Sequence, residues 1–140
     1  NKLSRKTFII LGDGECYEGS VWEAANFAAH HKLSNLCAIV DRNRLITHGN
    51  TEKINSLEPM MNKWESFGWK VVEIDAHNFT ELWNFFELWE SENDNKPTLL
   101  LGNTIKGKGI TFMENEASWH HGGIDEEKFR LAESELLNNK

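Results

Sequence analysis

The 140-residue sequence has only two cysteines, Cys16 in a glycine-rich turn and Cys37 in an apolar run. They make neither a disulfide framework nor a metal-binding motif. No apolar run approaches the roughly 20 residues that a membrane span needs, and the stretch 1–6 is not a signal peptide. A reducing cytoplasm is the expected compartment. Basic residues are outnumbered, 15 Lys and Arg against 22 Asp and Glu for a net charge of −7. That balance argues against a nucleic-acid or anionic-membrane surface, so any bound anion must be held locally. Internal repeats and low-complexity linkers are absent as well.

Two common phosphate signatures also fail. Residues 14–19 have the four-residue gap of a P-loop but continue with Ser20 instead of lysine. Residues 102–108 supply the lysine, but Gly109 follows where a hydroxyl should ligate magnesium. Gly12-Asp13-Gly14 misses the dinucleotide fingerprint because Tyr17 stands where its third glycine belongs. The glycosylation pattern Asn78-Phe79-Thr80 has no secretion signal to bring it into use.

What is present is ordinary for a globular protein, 39% hydrophobic and 26% charged residues, and the length suits one domain spanning 1–140. Apolar runs at 7–11, 36–41, 70–75 and 98–104 read as strands, and the second is apolar throughout, as buried parallel strands are. Helical patterns fall at 20–31, 60–67, 80–92 and 125–137. The first has Val21, Ala24, Ala25, Ala28 and Ala29 on one stripe, with Trp22 and Phe27 elsewhere. The last has Phe129, Leu131, Leu136 and Leu137 as its apolar members and Asp125 as its N-cap. Residues 42–51 read as a polar loop and 93–96 as a polar turn. Alternating strands and helices predict an α/β fold, a mostly parallel sheet with helices on both faces.

The chain is organised around two strand ends. Leu11-Gly12-Asp13-Gly14-Glu15-Cys16-Tyr17-Glu18-Gly19 joins the first strand to the first helix, and Asp41-Arg42-Asn43-Arg44-Leu45 ends the second strand. Glycines flanking Asp13 let the backbone approach a ligand, and a following helix start favours an anion. If the two strands are parallel neighbours, the Asp13 carboxylate, the Asn43 amide oxygen and a main-chain carbonyl just beyond it converge. All-oxygen donors with one charge suit magnesium, leaving room for phosphate oxygens and water. The implied ligand is a magnesium diphosphate.

Gly12-Asp13-Gly14 followed, after the 28 residues 15–42, by Asn43 resembles the thiamine-diphosphate fingerprint. The wider text, with Glu15, Glu18-Gly19, Glu23-Ala24-Ala25 and Lys32-Leu33-Ser34-Asn35-Leu36, resembles transketolase, especially the N-terminal subunit of split transketolases. The resemblance implies the thiamine-diphosphate-binding fold, here truncated at its N-terminus, with thiamine diphosphate and magnesium as cofactors. It implies that Asp13, Asn43 and the Leu45 carbonyl hold the metal, that the Gly14 N–H meets the diphosphate, and that Gly12 and Glu15 belong to the same cofactor turn.

Further roles follow from the resemblance alone. Glu18 matches a glutamate at the dimer interface that connects two cofactor sites, although a carboxylate serving only the helix dipole is the plainer alternative. Lys106 and Trp119-His120-His121-Gly122 match a segment that reaches back over the active site. The family commonly has one histidine there, so either His120 or His121 is the match, suited to proton transfer at a sugar hydroxyl. His48 stays undecided, His77 reads as a turn histidine, and His30 and His31 as structural.

The expected activity is transfer of a two-carbon ketol unit from a ketose phosphate to an aldose phosphate. The expected partner is a pyrimidine-binding C-terminal domain or subunit, in a dimer or heterotetramer, and this chain alone is expected to be inactive because it lacks both that domain and the active-site histidines that the family has before the first strand. Two alternatives stand beside it. One is another thiamine-diphosphate enzyme: deoxyxylulose-phosphate synthase, phosphoketolase or a dehydrogenase E1 component. The other is a non-catalytic cofactor-binding assembly protein.

Overall fold

A computed structural model of the chain describes residues 5–91 and 94–138. In chain order the elements are β1 (Thr7–Gly12), a 3-10 turn (Asp13–Tyr17), α1 (Gly19–His30), β2 (Leu36–Arg42), β3 (Leu45–Ile46), β4 (Gly49–Asn50), α2 (Thr51–Ile54), α3 (Met60–Ser66) and β5 (Lys70–Asp75). They continue with α4 (Phe79–Ser91), β6 (Thr98–Asn103), a second 3-10 turn (Ala117–His120) and α5 (Glu126–Asn138). Residues 1–4 of the N-terminal stretch, Glu92 at the end of the expected helix 80–92, and Asn93 of the expected turn lie outside the described residues.

The four apolar runs form one sheet in the order β1-β2-β6-β5, and every neighbouring pair is parallel. Side chains alternate across a strand, so β2 and β6 feed two cores. Ala38, Val40, Leu99 and Leu101 face α1 and α3, where they pack with Ala25, Ala28, Met60, Trp64 and Trp69. Cys37 and Leu100 face α4 and meet Phe85 and Trp89. Helices therefore cover both faces of the sheet. Each fully buried aliphatic side chain contributes about 1.5–3 kcal/mol by leaving water, and two indoles are anchored too: Trp69 Nε1 donates to the Ala25 carbonyl and Trp22 Nε1 to that of Cys16, both at 2.9 Å.

Local chemistry sets the helix ends. Asn78 Oδ1 accepts from the Thr80 and Glu81 N–H groups at the start of α4. Asp125 Oδ1 accepts from Lys128 N–H at 2.8 Å, the N-cap bond expected for α5.

Two expectations need correction. Residues 42–51 are more than a loop: β3 and β4 pair as an antiparallel hairpin, and the Asn50 side chain accepts from Glu52 N–H to cap α2. The segment is too short for periodicity to register. Trp22, set apart from the alanine stripe of α1, joins the core because its ring reaches Trp64, 5.2 Å between centroids, and stacks on Phe67. Phe129, Leu131, Leu136 and Leu137, the apolar members of α5, are each about half exposed, and only Ala132 of that helix is buried. Periodicity marks an apolar face without saying what covers it.

Cover over β1 is incomplete. Among the described residues it pairs only with β2, and Ile10 is 73% exposed on a strand whose residues 8–11 are all apolar. Unpaired edge groups beside apolar side chains template further pairing. The 140-residue chain is therefore expected to self-associate, and Ile10→Lys to shift it toward monomer in sedimentation velocity at a stability change within about 0.5 kcal/mol. Unchanged association in Ile10→Lys would remove β1 as the cause.

Candidate cofactor site

β1 and β2 run in register to their ends, with Gly12 opposite Asp41. The loops that leave them emerge side by side at the C-terminal edge of the sheet, where parallel α/β sheets hold ligands. A cavity of about 550 Å³ opens there. Gly12, Asp13, Gly14, Glu15 and Glu18 line it from the first loop, Asn43 and Leu45 from the second, and Lys106 and His120 from the segment after β6. His48 lines it as well, while His121 does not. Two strand ends far apart in sequence thus meet as expected.

The first loop is held tightly. A Cβ on Gly14 would lie 2.5 Å from Ile46 Cγ2, so only glycine lets the turn lie against the β3–β4 hairpin without something moving. Glu15 closes the turn on itself, its Oε2 accepting from Gly12 N–H at 2.5 Å. Asp13 is 1% exposed. Its Oδ2 accepts from Arg44 N–H at 2.6 Å and from Arg42 Nη1 at 3.0 Å. Burial pushes the Asp13 carboxyl up from its ordinary value, and these two donors, with Gly14 N–H, pull it back in part.

Asn43 Oδ1 accepts from Leu45 N–H at 2.9 Å, an Asx turn that fixes the amide beside the Leu45 main chain. Glu18 is exposed, and its carboxylate accepts from the Ser20 hydroxyl at 3.4 Å.

The third wall is the segment 104–122. Gly107 has φ +75°, and a Cβ there would lie 2.4 Å from the Met113 carbonyl oxygen, so the loop turns only with glycine. Asn115 N–H returns to the Lys106 carbonyl at 2.9 Å. Trp119 Nε1 donates to the Phe112 carbonyl at 3.0 Å and its ring lies against Gly122. This anchoring brings His120 to the cavity, with His121 edge-on to it at 4.7 Å between ring centroids. Partial desolvation, then the charges of Lys106 and His121, hold the His120 imidazole below its usual value. His77 instead accepts Ile105 N–H at Nε2, 2.8 Å, as a turn histidine.

One residue of the site escaped sequence reasoning. Arg42 is fully buried, and besides Asp13 it donates to Thr51 Oγ1 at 3.0 Å, Glu52 Oε1 at 2.5 Å and Glu58 Oε1 at 2.9 Å. Strand alternation was the available signal: it puts residue 42 on the face of Ala38 and Val40, where a guanidinium requires carboxylates, and Glu52 and Glu58 follow within reach.

A family described as transketolase, thiamine diphosphate binding domain, matches residues 1–139. The chain belongs to the transketolase family.

Relatives agree. An apulose-4-phosphate transketolase subunit of Phocaeicola vulgatus is 43% identical over 136 residues, 97% of this chain and 48% of that protein. The 6-deoxy-6-sulfo-D-fructose transketolase subunit SqwG of Clostridium sp. is 42% identical over 134 residues, 96% of this chain and 48% of its own length. The crystal structure of transketolase from Campylobacter jejuni superposes with TM-score 0.84 at 27% identity, over 94% of this chain and 20% of that one. The chain therefore spans about half the length of the two transketolase subunits it matches. Among its described residues no helix is long and apolar enough to cross a membrane.

The donor set fits the family's cofactor. Among the described residues no three His, Cys, Asp or Glu side chains are grouped to hold a metal. Asp13, Asn43 and Leu45, which carry a carboxylate, an amide oxygen and a main-chain carbonyl, line one cavity, and a cation held by these three alone would need further oxygens from its ligand. Such a donor set would suit magnesium with a diphosphate better than zinc, which takes mainly nitrogen and sulfur ligands.

The acids around Arg42 make stability depend on pH. Burial raises Glu52, but the Ser56 hydroxyl, Arg42 and the Leu57 and Glu58 N–H groups outweigh it and hold the carboxyl down to about 2. Glu58 is lowered by Met60 N–H and Arg42. Depressed carboxyls stabilise the fold above their unfolded value near 4.5 and lose that contribution as pH falls toward 2. Raised Asp13 works in the opposite sense, so it offsets part of this loss. Calorimetry should show the melting temperature falling between about pH 5 and pH 3, with a shallower fall in Glu52→Gln; equal slopes would exclude Glu52 as a source.

Proposed function

We propose that this chain is the magnesium-diphosphate-holding part of a transketolase, acting with a pyrimidine-binding domain or subunit in a dimer or heterotetramer to move a two-carbon ketol unit between sugar phosphates. The observation that carries the reading is the meeting of Asp13, Asn43 and Leu45 on one cavity at the ends of two adjacent parallel strands. Two relatives whose names are those of transketolase subunits support the reaction class.

In this reading Asp13, Asn43 Oδ1 and the Leu45 carbonyl hold magnesium, and the Gly14 N–H donates to the diphosphate. Glycine at Gly12 and Gly14 keeps the turn low enough for the anion to approach. Bound thiamine diphosphate would supply a carbon nucleophile and electron sink for ketol transfer. Lys106 favours negative groups on cofactor or substrate. His120, whose imidazole is shifted toward its neutral form, is placed to accept a proton from a sugar hydroxyl. Glu18, exposed at the cavity rim, is available to a facing protomer.

Titration calorimetry tests the assignment. Thiamine diphosphate should bind the chain only with magnesium present, with binding lost in Asp13→Ala and weakened about 10-fold or more in Asn43→Ala. Magnesium-independent binding, or wild-type affinity in Asp13→Ala, would refute it. In a coupled assay the chain alone should show no ketol transfer, and normal turnover would refute that expectation.

A further inference from the structure

We propose that Arg42 is a positioning residue for the cation site, setting Asp13 so that one carboxylate oxygen faces the cavity. This role rests on the magnesium-diphosphate reading above. Both strong donors to Asp13, Arg42 Nη1 and Arg44 N–H, fall on Oδ2. In this reading Oδ1, which neither of these two donors takes, is the oxygen offered to a cation. Arg42 in turn cannot swing, because Nη1 also donates to Thr51 Oγ1 and Nη2 bridges Glu52 and Glu58. The guanidinium thus ties a metal ligand to the segment from α2 to the start of α3, across a sequence distance of 29 residues to Asp13 on one side and 16 to Glu58 on the other.

The arrangement is costly. Arg42 is fully buried and its Nε has no hydrogen-bond partner among the described residues, a loss that stability alone does not favour. A lysine could supply the charge, but not the planar fork that reaches Asp13 and the two glutamates at once.

Charge and position predict opposite signs. Removing a cation from beside a ligand carboxylate should tighten binding of another cation if Coulomb attraction were all that mattered. Removing a residue that fixes a ligand should weaken it, by about 10-fold or more where such partners have been removed elsewhere.

The experiment uses the full chain with thiamine diphosphate and Mn²⁺ as probe, reading free Mn²⁺ by electron paramagnetic resonance. Arg42→Met is expected to raise the Mn²⁺ dissociation constant about 10-fold or more, Arg42→Lys about 5-fold, and Glu52→Gln less than about 3-fold despite a lowered melting temperature. Asp13→Asn separates the two levels. If it leaves Mn²⁺ binding unchanged, the cofactor reading itself fails. If it abolishes binding while Arg42→Met binds within about 2-fold of wild type, or more tightly, the positioning role is overturned. Should Arg42→Met not fold, Arg42→Lys decides alone: wild-type affinity overturns the proposal.

Discussion

The ion pair between Arg42 and Asp13 joins what the sequence keeps apart. Asp13 lies in the turn after the first strand and Arg42 at the end of the second, and parallel pairing puts those ends side by side. Both groups are buried, and Asp13 charged without Arg42, or Arg42 without its three carboxylates, would carry a desolvation cost of several kcal/mol. The pair also fixes the loop 50–59 through Glu52 and Glu58, and with it the packing of Met60 and Trp64 against the sheet. The geometry of the cavity wall and core stability are therefore not independent here.

The cavity is built mostly of backbone constraints. Gly14 lets a turn lie against a hairpin, Asn43 closes an Asx turn on Leu45, and Gly107 allows a loop to come back over the opening. Short polar links of this kind hold main-chain groups in place without a large side-chain contribution. That is what an anion with its bound cation requires, because both are recognised by peptide N–H and C=O groups as much as by side chains.

Much of this was legible in the sequence. The strands were readable because parallel strands are continuously apolar, and the ligand loops because Gly12-Asp13-Gly14 and Asn43 fall directly after two of them. The β3–β4 hairpin was not, since two-residue strands are set by tertiary contact with the first loop. Trp22 was misplaced because its reach exceeds the stripe to which its Cα belongs. The leucines of α5 and Phe129 carry a helical period and yet stay half exposed, and period alone cannot tell a core from an uncovered face. Arg42 was passed over because a charge beside a loop reads as solvated; its burial depends on acids that sequence proximity does not pair with it. Of the two adjacent histidines, geometry selects His120 at the cavity, set by the anchoring of Trp119.

The central claim is that three oxygens from two loops share one divalent ion. Anomalous diffraction from crystals grown with Mn²⁺ and thiamine diphosphate tests it most directly. A single strong peak is expected at about 2.1 Å from an Asp13 carboxylate oxygen, Asn43 Oδ1 and the Leu45 carbonyl oxygen. A peak that touches Asp13 but neither Asn43 nor Leu45, or one elsewhere on the chain, would contradict it.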